Sequence, residues 1–373
     1  MFNSKNFIFN CFAVILLLSK NKPLTKIIYL SIIIFISRIP LLAKYNFEQY
    51  LGSLFPLYRY ILYFIYITAY IVLTLIIIVD IIYLIIRLFI YLSKLFKKDN
   101  SLKLQKPKHI YKITITSGII IGFISLYNGI KVPNIKITEI TSSKITQQQK
   151  IILLPDIHLH RVLSVKKLQG IINKVNSQNA DLILLIGDII DDDVSKIKNL
   201  LDILSMLKAK NGIYFVAGNH EVYTGLDKAI NSLTNLNFIF LENNGISISN
   251  ELYLAGIPDI HSSKISNKTP NLQQAFSNAT EQQFKILMSH TPANFQENNN
   301  FDLEVAGHTH GGQVIPHVFF AYITKPYVAG LYNLNDHTKL YVSRGAGQGN
   351  AQMRFLAPAE ISIINLKPKE KTK

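Results

Sequence analysis

Two kinds of hydrophobic patterning divide the chain. In the first third the apolar residues run on without a period: Ile61 to Val79 reads ILYFIYITAYIVLTLIIIV, nineteen residues with no charge. About 20 apolar residues at a helical rise of ~1.5 Å cross a hydrocarbon core of roughly 30 Å, so this segment predicts a transmembrane helix. The apolar pattern continues from Ile81 to Phe96, broken by Arg87, and Asp80 stands between the two parts. A second span is predicted at Ile113 to Ile130, between Lys112 and Lys131. Phe7 to Ser19 and Ile27 to Leu42 are weaker spans, the first for its shortness and the second for Arg38 and Pro40. Residues 1–130 thus predict a membrane anchor of three to four helices. Phe7 to Leu18 has the length of a signal-peptide core, but Ser19-Lys20-Asn21-Lys22-Pro23 lacks a small-residue cleavage pattern, so cleavage is not expected.

Beyond Lys131 the pattern changes. Pro133 to Gln149 is polar, rich in Thr, Ser and Gln, and suits either a linker, taken as 131–149, or a first edge strand. Short runs of Ile, Leu and Val then recur at Lys150–Leu154, Leu182–Ile186, Ile213–Ala217, Leu252–Ala255, Phe284–Met288 and Leu303–Ala306. Between the first three lie Ser164–Asn176 and Val194–Leu207, whose apolar residues fall at helical spacing. Alternating strand and helix predict an α/β domain over residues 150–368, largely parallel at first and richer in β later, with a basic tail at 369–373.

Composition sharpens this division. The 373 residues are 49% hydrophobic and 17% charged, with mean hydropathy +0.23, between a soluble enzyme and a transporter. The net charge of +16 suggests nucleic acid, but its distribution does not. Residues 1–112 carry 15 Lys and Arg against 3 Asp and Glu, a net +12; the remainder carry 24 against 20, a net +4. No nucleic-acid partner is expected of a domain without a basic stripe. The lysines between Lys94 and Lys112 instead predict a cytoplasmic loop, which sends Ile113–Ile130 outward and places the domain on the outer face of a plasma or inner membrane. A multi-pass integral membrane protein, with the lipid bilayer as its partner, is the expectation. The single cysteine, Cys11, excludes an internal disulfide and a thiolate-rich metal site.

The chemistry is concentrated after the strands. Lys150–Leu154 is followed by Pro155-Asp156-Ile157-His158, Leu182–Ile186 by Gly187-Asp188, and Ile213–Ala217 by Gly218-Asn219-His220-Glu221. Phe284–Met288 is followed by Ser289-His290, and Leu303–Ala306 by Gly307-His308-Thr309-His310-Gly311-Gly312-Gln313. Carboxyl ends of strands in α/β sheets converge on one crevice, so these side chains are expected to share a site. Carboxylate, imidazole and amide oxygen suit Mn, Fe or Zn. Seven donors exceed one ion, and two ions about 3.5–4 Å apart, bridged by a carboxylate, would use them all. Asp156 and His158 fit one ion if their segment is extended, because residues i and i+2 then point the same way.

The ordered set DIH, GD, GNHE, SH and GHTHGG resembles the calcineurin-like metallophosphoesterases, from Lys150 to about Leu366. AGIPD at 255–259 and YVSRG at 341–345 look like the membrane-anchored bacterial branch of that family. The resemblance implies an α/β/β/α fold, a metallophosphoesterase-type β-sandwich flanked by helices, following the transmembrane helices. It implies that Asp156, His158 and His310 hold one divalent ion, that Asn219, His290 and His308 hold the other, and that Asp188 bridges them. His220 is then the general acid beside the leaving group, and a hydroxide between the ions attacks phosphorus. The implied activity is phosphatase or phosphodiesterase hydrolysis with two ions of Mn, Fe or Zn type. The substrate is a phosphorylated small molecule or, from the tether, a lipid-linked phosphate or pyrophosphate. The alternative is a catalytically silent membrane sensor or scaffold.

Pro155 stands where Ser or Thr is frequent in that family and His160 where Gly is usual, so His160 is expected either to narrow the cleft or to donate to a substrate phosphate. Arg344 is added as a phosphate-facing charge. Asp191, Asp192 and Asp193 are read as helix-capping carboxylates. His261, His317 and His337 are assigned to surface or core, the aromatic segment Pro316 to Tyr332 to packing, a substrate groove or the bilayer, and Gly345–Asn350 to a mobile loop rather than a phosphate cradle.

Overall fold

The computed structural model describes residues 36, 48–97, 109–292, 300–349 and 351–369. The weaker span at 7–19, that at 27–42 apart from residue 36, and most of the lysine loop lie outside these residues. Two units are separated: residues 1–127 with 351–355, and residues 128–350 with 356–373.

In the first unit Ile61–Val79 lies within one long helix, α1 (Phe55–Lys97), which runs on through Asp80 and Arg87. The Asp80 carboxylate accepts from the Tyr111 hydroxyl at 2.8 Å, on α2 (Ile110–Ile130). Both helices are long and apolar enough to cross a membrane. They meet closely where Gly118 and Gly122 of α2 face Val72 and Thr68 of α1. A Cβ at Gly122 would lie 2.4 Å from the Thr68 hydroxyl, so small residues permit the contact.

The second unit is built on two six-stranded sheets. The strands of the first are β1 (Asn134–Ser142), β2 (Gln149–Leu153), β3 (Leu182–Ile186), β4 (Ile213–Val216), β5 (Ile239–Phe240) and the C-terminal β12 (Glu360–Pro368). Their order is β1-β12-β2-β3-β4-β5, with β2 to β5 parallel. Residues 134–142 of the polar stretch therefore form the edge strand, paired in parallel with β12. The second sheet contains β6 (Asn244–Ser247), β7 (Leu252–Gly256), β8 (Phe284–Met288), β9 (Leu303–Ala306), β10 (Gly330–Asn333) and β11 (Lys339–Val342). Its order is β10-β11-β9-β8-β7-β6, with β7, β8, β9 and β11 parallel.

The uninterrupted apolar strands are explained by burial on both faces. In β3, Leu182, Leu184 and Ile186 face the second sheet, packing with Leu254, Ile286, Met288 and Val305. Ile183 and Leu185 face Leu168, Ile171, Ile172 and Val175 of α3 (Val165–Asn176) and Leu200, Leu201 and Leu204 of α4 (Lys198–Leu204). The Ser164 side chain caps α3 by accepting from the Lys167 amide. On the far face of the second sheet Tyr253, Ala255 and Leu287 pack with Ala275, Phe276 and Phe301. Layers of helix, sheet, sheet and helix result. Because β2, β3 and β4 are parallel, as are β8 and β9, their carboxyl ends project the motif loops to common edges.

Candidate metal centre

Six of the seven expected donors gather there in clusters. Asp156, His158 and His310 form one, Asp188, His290 and His308 a second, and His158, Asp191 and His220 a third. The His158 and His310 Nε2 atoms are 3.1 Å apart, and His308 Nδ1 is 3.3 Å from His290 Nε2. The Asp188 carboxylate belongs to both sides: its Oδ2 lies 3.3 Å from His290 Nε2 and 3.8 Å from His158 Nε2. Asn219 is buried at the start of α5 (Asn219–Thr224), which is followed by α6 (Leu226–Thr234), and its Oδ1 has no hydrogen-bond partner among the described residues.

Local backbone aims these groups. Asp156, His158, Asp188, His308 and His310 all have φ between 50° and 67°. Such left-handed geometry is uncommon for residues other than glycine and collects at functional sites. It also corrects the expected extended form of Asp156-Ile157-His158: the two side chains share a site through left-handed turns, not through strand periodicity. Gly218 lets the β4 loop approach Asp188, since a Cβ there would be 2.4 Å from Oδ1. Gly307 does the same for Asp156, whose Oδ2 would be 2.7 Å away. The Ile186 carbonyl lies 2.9 Å from His290 Nδ1, and a proton donated there leaves Nε2 as the ligating nitrogen.

The electrostatics fit a cation. Burial works against the Asp188 charge, but His290, and then His158 and His220, outweigh it and hold the carboxyl well below the usual range. His290 is pushed up to about 10 despite its burial, chiefly by Asp188. His308 is driven to about 3 by desolvation and then by the charges of His290 and Lys325. Imidazole nitrogens at 3.1 and 3.3 Å beside buried carboxylates form donor sets of a kind that could hold a divalent cation. The unpartnered Asn219 oxygen is a further donor of that type.

His220 stands beside the clusters and is itself anchored. Its backbone amide donates to Asp188 Oδ1 at 2.8 Å, and its Nδ1 meets Asp191 Oδ1 at 2.5 Å. Asp191 Oδ2 is also 3.3 Å from His158 Nδ1. Asp191 is thus not a capping carboxylate. Residues 159 and 190 form a parallel bridge, and the Asp191 amide donates to the Leu159 carbonyl, which carries its side chain under the two histidines. The cap is Asp193, which accepts from the Ser195 amide, while Asp192 pairs with Arg161 at 2.6 Å. Desolvation lowers the His220 pKa, yet Asp191 and Asp188 raise it to about 9.

Other expectations are revised in detail. His261 is drawn to the site, its ring 5.2 Å from that of His308. Arg344 pairs with Glu360 at 3.2 Å, which fixes it beside β12. His160 is buried, and its Nδ1 accepts from the Val162 amide. In the glycine-rich loop the Ala346 and Gly347 amides donate to the Pro155 and Asp156 carbonyls and so tie it to the Asp156 loop.

A family model for calcineurin-like phosphoesterases matches residues 149–312, the stretch that holds all eight of these predicted site residues. A Campylobacter jejuni protein described as an uncharacterized metallophosphoesterase is 31% identical over 286 residues, 75% of this chain and 76% of that one. The chain belongs to the calcineurin-like metallophosphoesterase family. A Helicobacter pylori uncharacterized metallophosphoesterase is 35% identical over 246 residues, 65% of this chain and 66% of its own length. A zebrafish (Danio rerio) protein described as a transmembrane protein with metallophosphoesterase domain is 28% identical over 308 residues, 76% of this chain and 70% of that one.

Within this metallophosphoesterase domain Glu221 holds the bridging loop in place. Its buried carboxylate accepts from the amides of Asp188, Ile189, Ile190 and Gly218 at 2.6–2.9 Å. Glu221→Ala would orphan four buried amides at about 1–3 kcal/mol each, before relaxation. We expect a loss of at least about 3 kcal/mol in denaturant unfolding, with Glu221→Gln intermediate.

Proposed function

We propose that this chain is a membrane-anchored, dinuclear metal-dependent phosphohydrolase. The observation that carries the reading is the sharing of Asp188 between two donor clusters, with His220 3.9 Å from the same carboxylate. Asp156, His158 and His310 would hold one ion, Asn219, His290 and His308 the other, and Asp188 both. Divalent ions of Mn, Fe or Zn type supply Lewis acidity toward a phosphoryl group and acidify water. The chain's own groups do the rest. Asp191 fixes the His220 ring so that Nε2 faces the reaction, and His220 donates its proton to the leaving oxygen. Glu221 keeps the Asp188 loop from shifting as charge develops.

Two apolar helices, with a relative whose name includes a transmembrane segment, support membrane attachment. The basic loop before α2 supports an outer-face orientation. A lipid-linked phosphate is the substrate class that this location favours. Against the silent-scaffold reading stands the full set of seven donors and the Asp191–His220 pair, which a binding-only protein would not need.

The test is hydrolysis of p-nitrophenyl phosphate and bis(p-nitrophenyl) phosphate by the detergent-solubilised full chain with Mn²⁺, Fe²⁺ or Zn²⁺. We expect turnover that requires added metal. Failure with every ion and both esters would remove the enzyme reading.

A further inference from the structure

One element of the metallophosphoesterase domain is not spent on its core. Between the His310 loop and β10 lies α7 (His317–Thr324), in which Val318 alone is buried. Phe319, Phe320, Tyr322 and Ile323 are exposed to 49, 39, 54 and 78%. A contiguous exposed apolar surface of this kind marks a binding site more often than it marks ordinary surface.

Both ends of α7 are fastened next to metal donors. At its start the Val318 amide donates to the Val314 carbonyl and the Val314 amide to Gly312. Gly312 lies so close to the helix that a Cβ there would be 2.5 Å from Val318 Cα. Beyond its end, the Val328 carbonyl accepts from the buried Thr309 hydroxyl at 2.6 Å, and Thr309 sits between His308 and His310. Lys325 follows the helix. The loop that carries His308 and His310 therefore leads directly into a helix of bulky exposed apolar side chains.

We propose that α7 is the tail-recognition element of this site: the substrate is an amphiphilic phosphate whose phosphoryl group lies at the metal centre and whose hydrocarbon chain lies on Phe319, Phe320, Tyr322 and Ile323. This rests on the phosphohydrolase reading and names the substrate class for it. The occupant is a lipid because the apolar surface begins where the anion site ends, so one molecule with a charged head and an apolar tail fills both. The same chain carries helices apolar enough to cross a membrane. In the reaction water adds its oxygen to phosphorus, the bond from phosphorus to the lipid oxygen breaks, and that oxygen leaves with a proton from His220. The two protons of water end on the released phosphate and, through His220, on the lipid alcohol or phosphate.

The test compares the wild-type full chain with Phe319→Ser/Phe320→Ser/Ile323→Ser in mixed micelles. Substrates are dioleoyl phosphatidic acid, farnesyl diphosphate and p-nitrophenyl phosphate. We expect the triple variant to lose at least fivefold in kcat/KM for a lipid substrate relative to p-nitrophenyl phosphate. A smaller relative loss overturns the proposal. So does a wild type that turns over p-nitrophenyl phosphate and neither lipid, which leaves the phosphohydrolase reading standing; no turnover of any substrate overturns both. A second readout needs no turnover: phosphatidic acid with an acyl-chain diazirine should label residues 317–324, competed by unlabelled phosphatidic acid but not by phosphatidylcholine. Absence of that competed label also overturns the proposal.

Discussion

Asp188→Asn is expected to abolish turnover and strip the centre of its shared ion pair. Asp188 is almost fully buried. One carboxylate oxygen takes the His220 amide, while the other faces His290, His158 and His220 at 3.3–3.9 Å. An amide keeps the shape but loses the negative charge, and it offers one acceptor where two are used. Its NH₂ would either oppose the His220 amide or point at the imidazole nitrogens. We expect bound metal to fall from two ions per chain to one or none. Turnover should fall by more than about 10³-fold, beyond the loss from a single oriented hydrogen-bond donor. Glu221 still holds the loop, but the buried charge that faces His290 at 3.3 Å is gone, so the metal-free variant should melt below the metal-free wild type. Metal analysis by mass spectrometry, p-nitrophenyl phosphate turnover and a melting curve check the three parts.

His220→Ala is expected to separate chemistry from metal binding. Its ring belongs to the third cluster, with Asp191 and His158, and to neither of the other two, so both proposed ions should be retained while turnover falls by about 10²–10⁴-fold, the usual worth of a positioned general acid. Loss of metal from this variant would overturn the assigned role. Asp191→Asn tests the same arrangement from beneath. Desolvation lowers the His220 pKa and Asp191 is the leading group that raises it, to about 9. Removing that charge lowers the pKa, so the protonated acid is lost at a lower pH. The alkaline limb of the kcat profile should therefore move down, with metal content kept. A profile that falls in height without moving would assign Asp191 to structure alone.

The site was legible in the sequence to the extent that it is written at strand ends. Leu182–Ile186 is apolar at every position because a helix layer covers one face and a second sheet the other. Parallel pairing then delivers Asp156, Asp188 and Asn219 to one edge. The roles hidden from the sequence depend on contacts between distant loops. Asp191 reads as one of three acidic residues before a helix, and only the bridge between Leu159 and Ile190 distinguishes it from Asp193. The spacing of three from Asp188 was the available signal. His261 carries no motif of its own, and its approach to His308 depends on the turn in which Asp259 accepts from the Ser262 amide and hydroxyl. The edge strand 134–142 was ambiguous because its partner, β12, lies more than 200 positions away. The left-handed backbone at Asp156 and His158 leaves no trace in residue type beyond the tolerance of Asp and His for it.

The central claim is that the two clusters around Asp188 load divalent metal and that turnover depends on this loading. The most direct measurement titrates Mn²⁺ into metal-stripped full-length protein while ions bound per chain and p-nitrophenyl phosphate hydrolysis are followed together. The account predicts no hydrolysis without metal and a rate that rises to its plateau as two ions per chain are bound. Full activity in the stripped protein, or a two-ion protein that hydrolyses nothing, would contradict it.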